Sequence, residues 1–183
     1  MRPRVSAAPG TSPRRIAISP YLYLPLLGVL ALLQVTVAPH LTVLGTTPDL
    51  MLLAVAAWGL LRGTHEGVVW GFVGGIFLSL FSGAGFAIAA LALIAVGFFA
   101  GLGQTTVTGG RIALPLFTVL LSTLIHGLLS LFLLYITGRP VPWLDTLLRV
   151  MLPTALLNCL LAIPVYAAFR QLHRITGHEE LRW

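Results

Sequence analysis

Ionisable side chains are scarce in this 183-residue chain, and where they fall decides what chemistry it can do. Acidic residues are confined to Asp49, Glu66, Asp145, Glu179 and Glu180, each in a loop or at the end of an apolar segment. No carboxylate pair, Ser/His/Asp set or metal-ligand cluster can be assembled at the centre of an apolar segment, where an ionisable group is costly and usually functional. Catalytic, cofactor and metal residues are therefore not expected. His126 and Asn158 are the polar groups that do fall near the middle of such segments. Thr118, Ser122, His126 and Ser130 share four-residue spacing and so one helix face. We expect His126 and Asn158 to act as intramembrane polar glue, hydrogen-bonding across neighbouring helices for roughly 0.6 to 2 kcal/mol. A substrate or proton role for His126 is the alternative. Arg62 and Glu66, four apart, can pair in a helical turn for ~0 to 1 kcal/mol. With Gly63 and Gly67 they form a charged turn, a candidate docking point for a cytoplasmic partner. Cys159 is the single cysteine and reads as a small buried apolar side chain.

The elements that must position these groups are membrane helices. The chain is 57% hydrophobic and 9% charged, against roughly 25% charged in a soluble domain. Six apolar segments are expected, over 21–38, 48–61, 68–81, 86–102, 112–136 and 147–170, forming one transmembrane domain over 21–170. A basic disordered tail, 1–20, precedes it and a short cytoplasmic tail, 171–183, follows. The first apolar run is too long for a signal-peptide core of ~7 to 15 residues, and Pro39 would follow its candidate cleavage site. At ~1.5 Å per residue the second and third segments fall short of about 30 Å of hydrocarbon. They are short crossings or a re-entrant hairpin.

Eleven Arg and no Lys give a net charge of +6. With both termini inside, nine arginines face the cytoplasm and Arg139 and Arg149 face out, which satisfies the positive-inside bias. The arginines are dispersed, so lipid headgroups and not nucleic acid are the expected counter-charge. Trp58, Trp70, Tyr135 and Trp143 are placed as interfacial anchors. Thr47, Pro48 and Asp49 read as an N-cap, a first-turn proline and an acid at the positive end of a helix. Pro115, Pro153 and Pro164 fall within the fifth and sixth segments and are expected to bend them.

From Gly59 to Gly83 every fourth residue is small: Gly59, Gly63, Gly67, Gly71, Gly75, Ser79 and Gly83. Gly97 and Gly101 repeat the spacing in the fourth segment. Small residues four apart let backbones approach closely in lipid. Gly59, Gly71, Gly75, Ser79, Gly97 and Gly101 are thus expected to pack helices inside the bundle or against a partner's transmembrane helix.

Residues 47–101 resemble the core of the rod shape-determining MreD family. The likeness rests on Pro48-Asp49-Leu50, the turn Arg62-Gly63-x-x-Glu66-Gly67, then Gly71-Phe72 with Gly75, and Ser82-Gly83. Many members carry an acid late in the third helix, where this chain has Ser79, so no role carries over to that position. The resemblance implies a six-helix fold like the substrate-binding components of energy-coupling-factor transporters. It also implies a non-enzymatic inner-membrane scaffold of the elongation machinery that binds MreC and helps to control side-wall peptidoglycan synthesis. Further implied partners are MreB filaments, the RodA transglycosylase and its penicillin-binding transpeptidase; a homo-oligomer is left open. The rival reading is a vitamin-binding transporter component. Its outer loops, however, are short, and an Ala-x-x-x-Ala motif is missing from 21–38.

Overall fold

A computed structural model describes residues 20–42, 45–82, 85–106, 113–139 and 142–176. Six long helices account for most of them. We label them α1 (Pro20–Thr36), α2 (Leu50–Arg62), α3 (Thr64–Ser82), α4 (Phe86–Leu102), α5 (Ala113–Ile136) and α6. The last is continuous, running as Trp143–Thr146, a π-helical turn Leu147–Met151, and Leu152–Thr176. The proposed first tail and Gly83 lie outside the described residues, apart from Pro20. Part of the proposed second tail is helical, because α6 continues to Thr176.

Three helical stretches, Thr64–Ser82, Ala113–Ile136 and Trp143–His173, are long and apolar enough to cross a membrane. The first of these corrects the expectation that the third segment is short. Its opening Thr64-His65-Glu66 reads as loop by hydropathy, yet it is helical because Glu66 is held by α2 side chains. The helix α2 does stay short, at 13 residues or roughly 20 Å.

Prolines act differently from expectation in two places. Pro115 is the third residue of α5, inside the first turn, where its missing N–H has no helical partner to lose. Pro153 follows the π turn by one intervening residue, Leu152, whose N–H donates to the Leu147 carbonyl five residues back. Widening the turn there relieves the clash that a proline ring makes with the carbonyl four residues before it.

At the centre of the bundle stands α2. Its ten residues from Met51 to Leu60 are all buried, and it packs against each of the other five helices. The outer helices expose large apolar side chains, such as Leu80, Phe117, Leu144 and Leu160, while Ser122, Thr123 and Asn158 are buried. Polar inside and apolar outside is the arrangement that lipid favours.

The closest helix pair is α3 with α4, and glycine makes it so. A Cβ added at Gly71 would overlap the Leu93 carbonyl oxygen, one at Gly75 the Ala90 Cα, and one at Gly97 the Gly67 carbonyl oxygen. Gly67 meets Gly97 in return, Gly101 lies on the backbone of Thr64, and a Cβ added at Gly59 of α2 would stand 3.0 Å from the Gly97 carbonyl oxygen. All are buried. The row therefore winds from α2 across the turn onto the α4 side of α3. Ser79 departs from it: the residue is half-buried and its hydroxyl donates to the Ile76 carbonyl of its own helix at 2.9 Å.

Candidate functional site

Polar side chains gather at the two ends of α2, and the glycine-packed α3–α4 pair fixes where those ends lie. At the first end, Asp49 is the N-cap: its Oδ1 accepts from the Leu52 N–H at 3.0 Å. Because α2 begins at Leu50 with Asp49 as its cap, Thr47 and Pro48 precede the helix and take neither the cap nor the first-turn role expected of them. Other helices supply the remaining caps. Asn158 of α6 accepts from the Asp49 N–H through Oδ1 at 3.0 Å. Gln34 of α1 accepts from the Leu50 N–H at 2.6 Å and donates to the Pro48 carbonyl at 3.1 Å. In this way three of the four N–H groups that a helix start leaves unpaired are met without water.

The network continues into α5. Asn158 donates through Nδ2 to the Thr123 hydroxyl at 3.2 Å, and Thr123 donates to the Val119 carbonyl at 2.8 Å. His126 Nδ1 lies 3.7 Å from Asp49 Oδ2. Asn158 and His126 thus converge on Asp49 and do not bond to each other, which corrects the expected cross-helix pair. Asn158 is 0% exposed, whereas His126 is half-buried. Asn158 is consequently the group whose loss strands buried polar atoms.

At the other end, α2 and α3 are separated by Gly63 alone, at φ 93° and ψ −179°. Essentially only glycine adopts that combination. An added Cβ would also overlap the Gln104 side chain. Gly63→Ala should therefore cost about 2 to 3 kcal/mol of stability. Thermal unfolding in detergent measures it, and Gln104→Ala should not rescue the loss, because the backbone conformation carries most of it.

Around this turn Arg62 Nη1 and Glu66 Oε1 stand 3.6 Å apart. Glu66 also accepts from the Trp58 indole N–H through Oε2 at 3.0 Å. Arg62 lies over the Trp58 ring, its Cζ 5.3 Å from the centroid. Trp58 stacks on Trp70 at 4.4 Å and meets Phe169 and His173 of α6 edge-on at 6.1 and 6.5 Å. Trp58 and Trp70 are buried at 0% and 3% exposure, so they are core and not the interfacial anchors expected. Tyr135 and Trp143, exposed and edge-on at 5.8 Å, do sit together where α5 passes to α6.

Sequence reasoning singled out Asp49, Asn158, Arg62 and Glu66 but missed Gln34, Thr123, Gln104 and His173. Gln34 had a signal, being a lone amide inside an apolar run. Thr123 had none, since it lies one residue off the polar strip.

Most of the polar atoms named in the two clusters are engaged in capping, stacking and ion pairing, the exceptions being Arg62 Nε and Nη2 and His173 Nδ1, which are buried without a hydrogen-bond partner. Among the described residues no three His, Cys, Asp or Glu side chains gather as metal ligands. The family model described as rod shape-determining protein MreD matches residues 15–176, nearly the whole chain. No curated protein and no solved structure matches it, so the likeness to energy-coupling-factor components gains no support.

Proposed function

The chain belongs to the rod shape-determining protein MreD family, and on that premise we propose that it is a helical scaffold of the cell-elongation machinery in the cytoplasmic membrane. Its role in rod shape determination comes with the family. The finer reading is that it binds MreC and through it helps to control side-wall peptidoglycan synthesis, alongside MreB filaments, RodA and its penicillin-binding transpeptidase. What supports a scaffold without turnover is the use of the polar groups: those at both ends of α2 hold helices together. Both termini and the Arg62–Gly67 turn face the cytoplasm in this reading, following the arginine distribution.

Because Gly67, Gly71 and Gly75 are taken up by α4, a partner helix on α3 must use its other side. There Val69, Phe72 and Leu80 are exposed. Cysteines at Phe72 or Leu80, in a Cys159→Ser background, should crosslink to a cysteine-bearing MreC transmembrane segment. No crosslink from any exposed α3 position would sink this interface. A second expected outcome concerns topology: a cysteine replacing the exposed His65 should react with an impermeant reagent applied from the cytoplasmic side only. Labelling from the outer side would reverse the orientation.

A further inference from the structure

The Arg62 guanidinium is only partly used by Glu66. Glu66 meets it at Nη1, yet Nε and Nη2 are buried without a hydrogen-bond partner, and so is His173 Nδ1. Arg62 and His173 pack on the same indole, that of Trp58, one from the end of α2 and the other from the last turn of α6. Three unmet nitrogens in one cluster are a strong departure, since buried polar groups are almost always paired.

The chemistry of these three atoms selects a ligand. Nε and Nη2 form the side-on edge of the guanidinium, whose parallel N–H groups match two oxygens of one anion. A neutral imidazole nitrogen donates or accepts according to its tautomer, and a hydroxyl serves it in either case. An anion with two free oxygens and a hydroxyl close by therefore meets all three. Depth narrows the choice. One candidate membrane span begins at Thr64, two residues after Arg62, and another ends at His173 itself, which puts the cluster where hydrocarbon gives way to headgroups. Basic pockets between helices at that depth suit anionic lipid heads. The Arg62 and Glu66 side chains are 19% and 38% exposed, so the guanidinium stands at the rim of the bundle and not in its core. Glu66 offsets part of the Arg62 charge, while the exposed Arg170, three residues before His173 on α6, adds a second cation at the same end. A lipid whose head carries its own ammonium has less need of that charge than one with an uncharged, hydroxylated head.

We infer that the side-on edge of Arg62 and His173 Nδ1 form a binding site for the phosphodiester of an anionic phospholipid with a hydroxylated head, of the phosphatidylglycerol type. The phosphate takes the two guanidinium N–H groups and the head hydroxyl takes the imidazole nitrogen, a turn of the Arg62 stem bringing its edge to the ligand. Occupancy ties the α2–α3 turn to the end of α6. The test is the melting midpoint of the full-length protein in a non-ionic detergent, with phosphatidylglycerol, phosphatidylcholine, phosphatidylmethanol or glycerol phosphate added. Saturating phosphatidylglycerol should raise it by about 5 to 10 °C more than phosphatidylcholine does. Arg62→Gln should abolish that difference, and Arg62→Lys should keep less than half of it, because an ammonium lacks the paired edge. Phosphatidylmethanol, equal in charge but without the hydroxyl, should bind about 2- to 10-fold more weakly, and His173→Phe should erase the preference. Equal gains from phosphatidylglycerol and phosphatidylcholine, or a difference that survives Arg62→Gln, overturn the assignment. So does a hydroxyl preference that survives His173→Phe. A midpoint raised as far by glycerol phosphate alone overturns it in favour of a free phosphate, and no response to any of the four overturns it in favour of a partner's carboxylate. Should Arg62→Gln fail to fold, Arg62→Lys decides by the same difference: a fall to below half supports the site and retention of more than half refutes it.

Discussion

Gly71→Leu should leave almost no folded protein to purify. A side chain there would have to enter the space of the Leu93 carbonyl and the following peptide nitrogen, and neither is the tip of a flexible group. Relief requires α3 and α4 to move apart along their length, because Gly67, Gly75, Gly97 and Gly101 hold the same close approach. Overpacking a well-fitted core costs about 1 to 3 kcal/mol, and losing backbone contact between two helices should carry this change to about 4 kcal/mol or beyond. Gly71→Ala tests the mechanism more sharply, since one methyl already overlaps. Gly28→Ala is the control: its added Cβ would meet Phe77 at 3.7 Å, an ordinary contact, so the helix should gain up to about 1 kcal/mol. Recovery from detergent extracts and melting midpoints give both numbers. A Gly71→Ala protein as stable as the parent would refute the claim that these glycines are there for backbone approach.

The second large effect is expected at Asn158. Asn158→Leu keeps the branched shape but leaves the buried Asp49 N–H without its acceptor and removes the donor to Thr123, whose hydroxyl keeps its bond to the Val119 carbonyl. A buried donor left without a partner costs about 1 to 3 kcal/mol, and with the Thr123 bond also lost a cost of about 2 to 3 kcal/mol should follow. Thr123→Val should cost less, because Asn158 keeps its bond from the Asp49 N–H and only its Nδ2 is left without an acceptor. His126→Ala should cost least, since the ring is half-buried and 3.7 Å from the Asp49 carboxylate. Coupling between Asn158 and Thr123 in a double-mutant cycle should therefore be large, and that between Asn158 and His126 small. The reverse order would restore the cross-helix pair that spacing alone suggests.

Much of the architecture is legible in the chain because lipid makes simple demands. Apolar length marks the helices, and small residues four apart mark where backbones meet. Gly59 and Gly97 sit in different helices yet answer each other. What could not be read is rotation and depth. Whether Asn158 turns toward His126 or Thr123 depends on how far α5 and α6 are turned against α2, which a run of leucines does not record. The surroundings of Trp58 and Trp70 are hidden for a related reason: a tryptophan near a charged turn looks the same whether its ring faces headgroups or, as here, another indole. The start of α3 is hidden because hydropathy counts Glu66 as polar surface, whereas in the fold two α2 side chains meet it.

The enclosure of α2 has a consequence for how the protein is made. Its companions on two sides, α5 and α6, are synthesised long after it, and Asn158 follows Asp49 by 109 residues. Until that amide arrives, the first peptide group of α2 must find a temporary acceptor in lipid or in the insertion machinery. Completion of the bundle is thus a late event, governed by the carboxyl-terminal third of the chain. Nascent chains halted before residue 158 should remain inserted but sensitive to protease within the Asp49 region, and release of the last helix should close it.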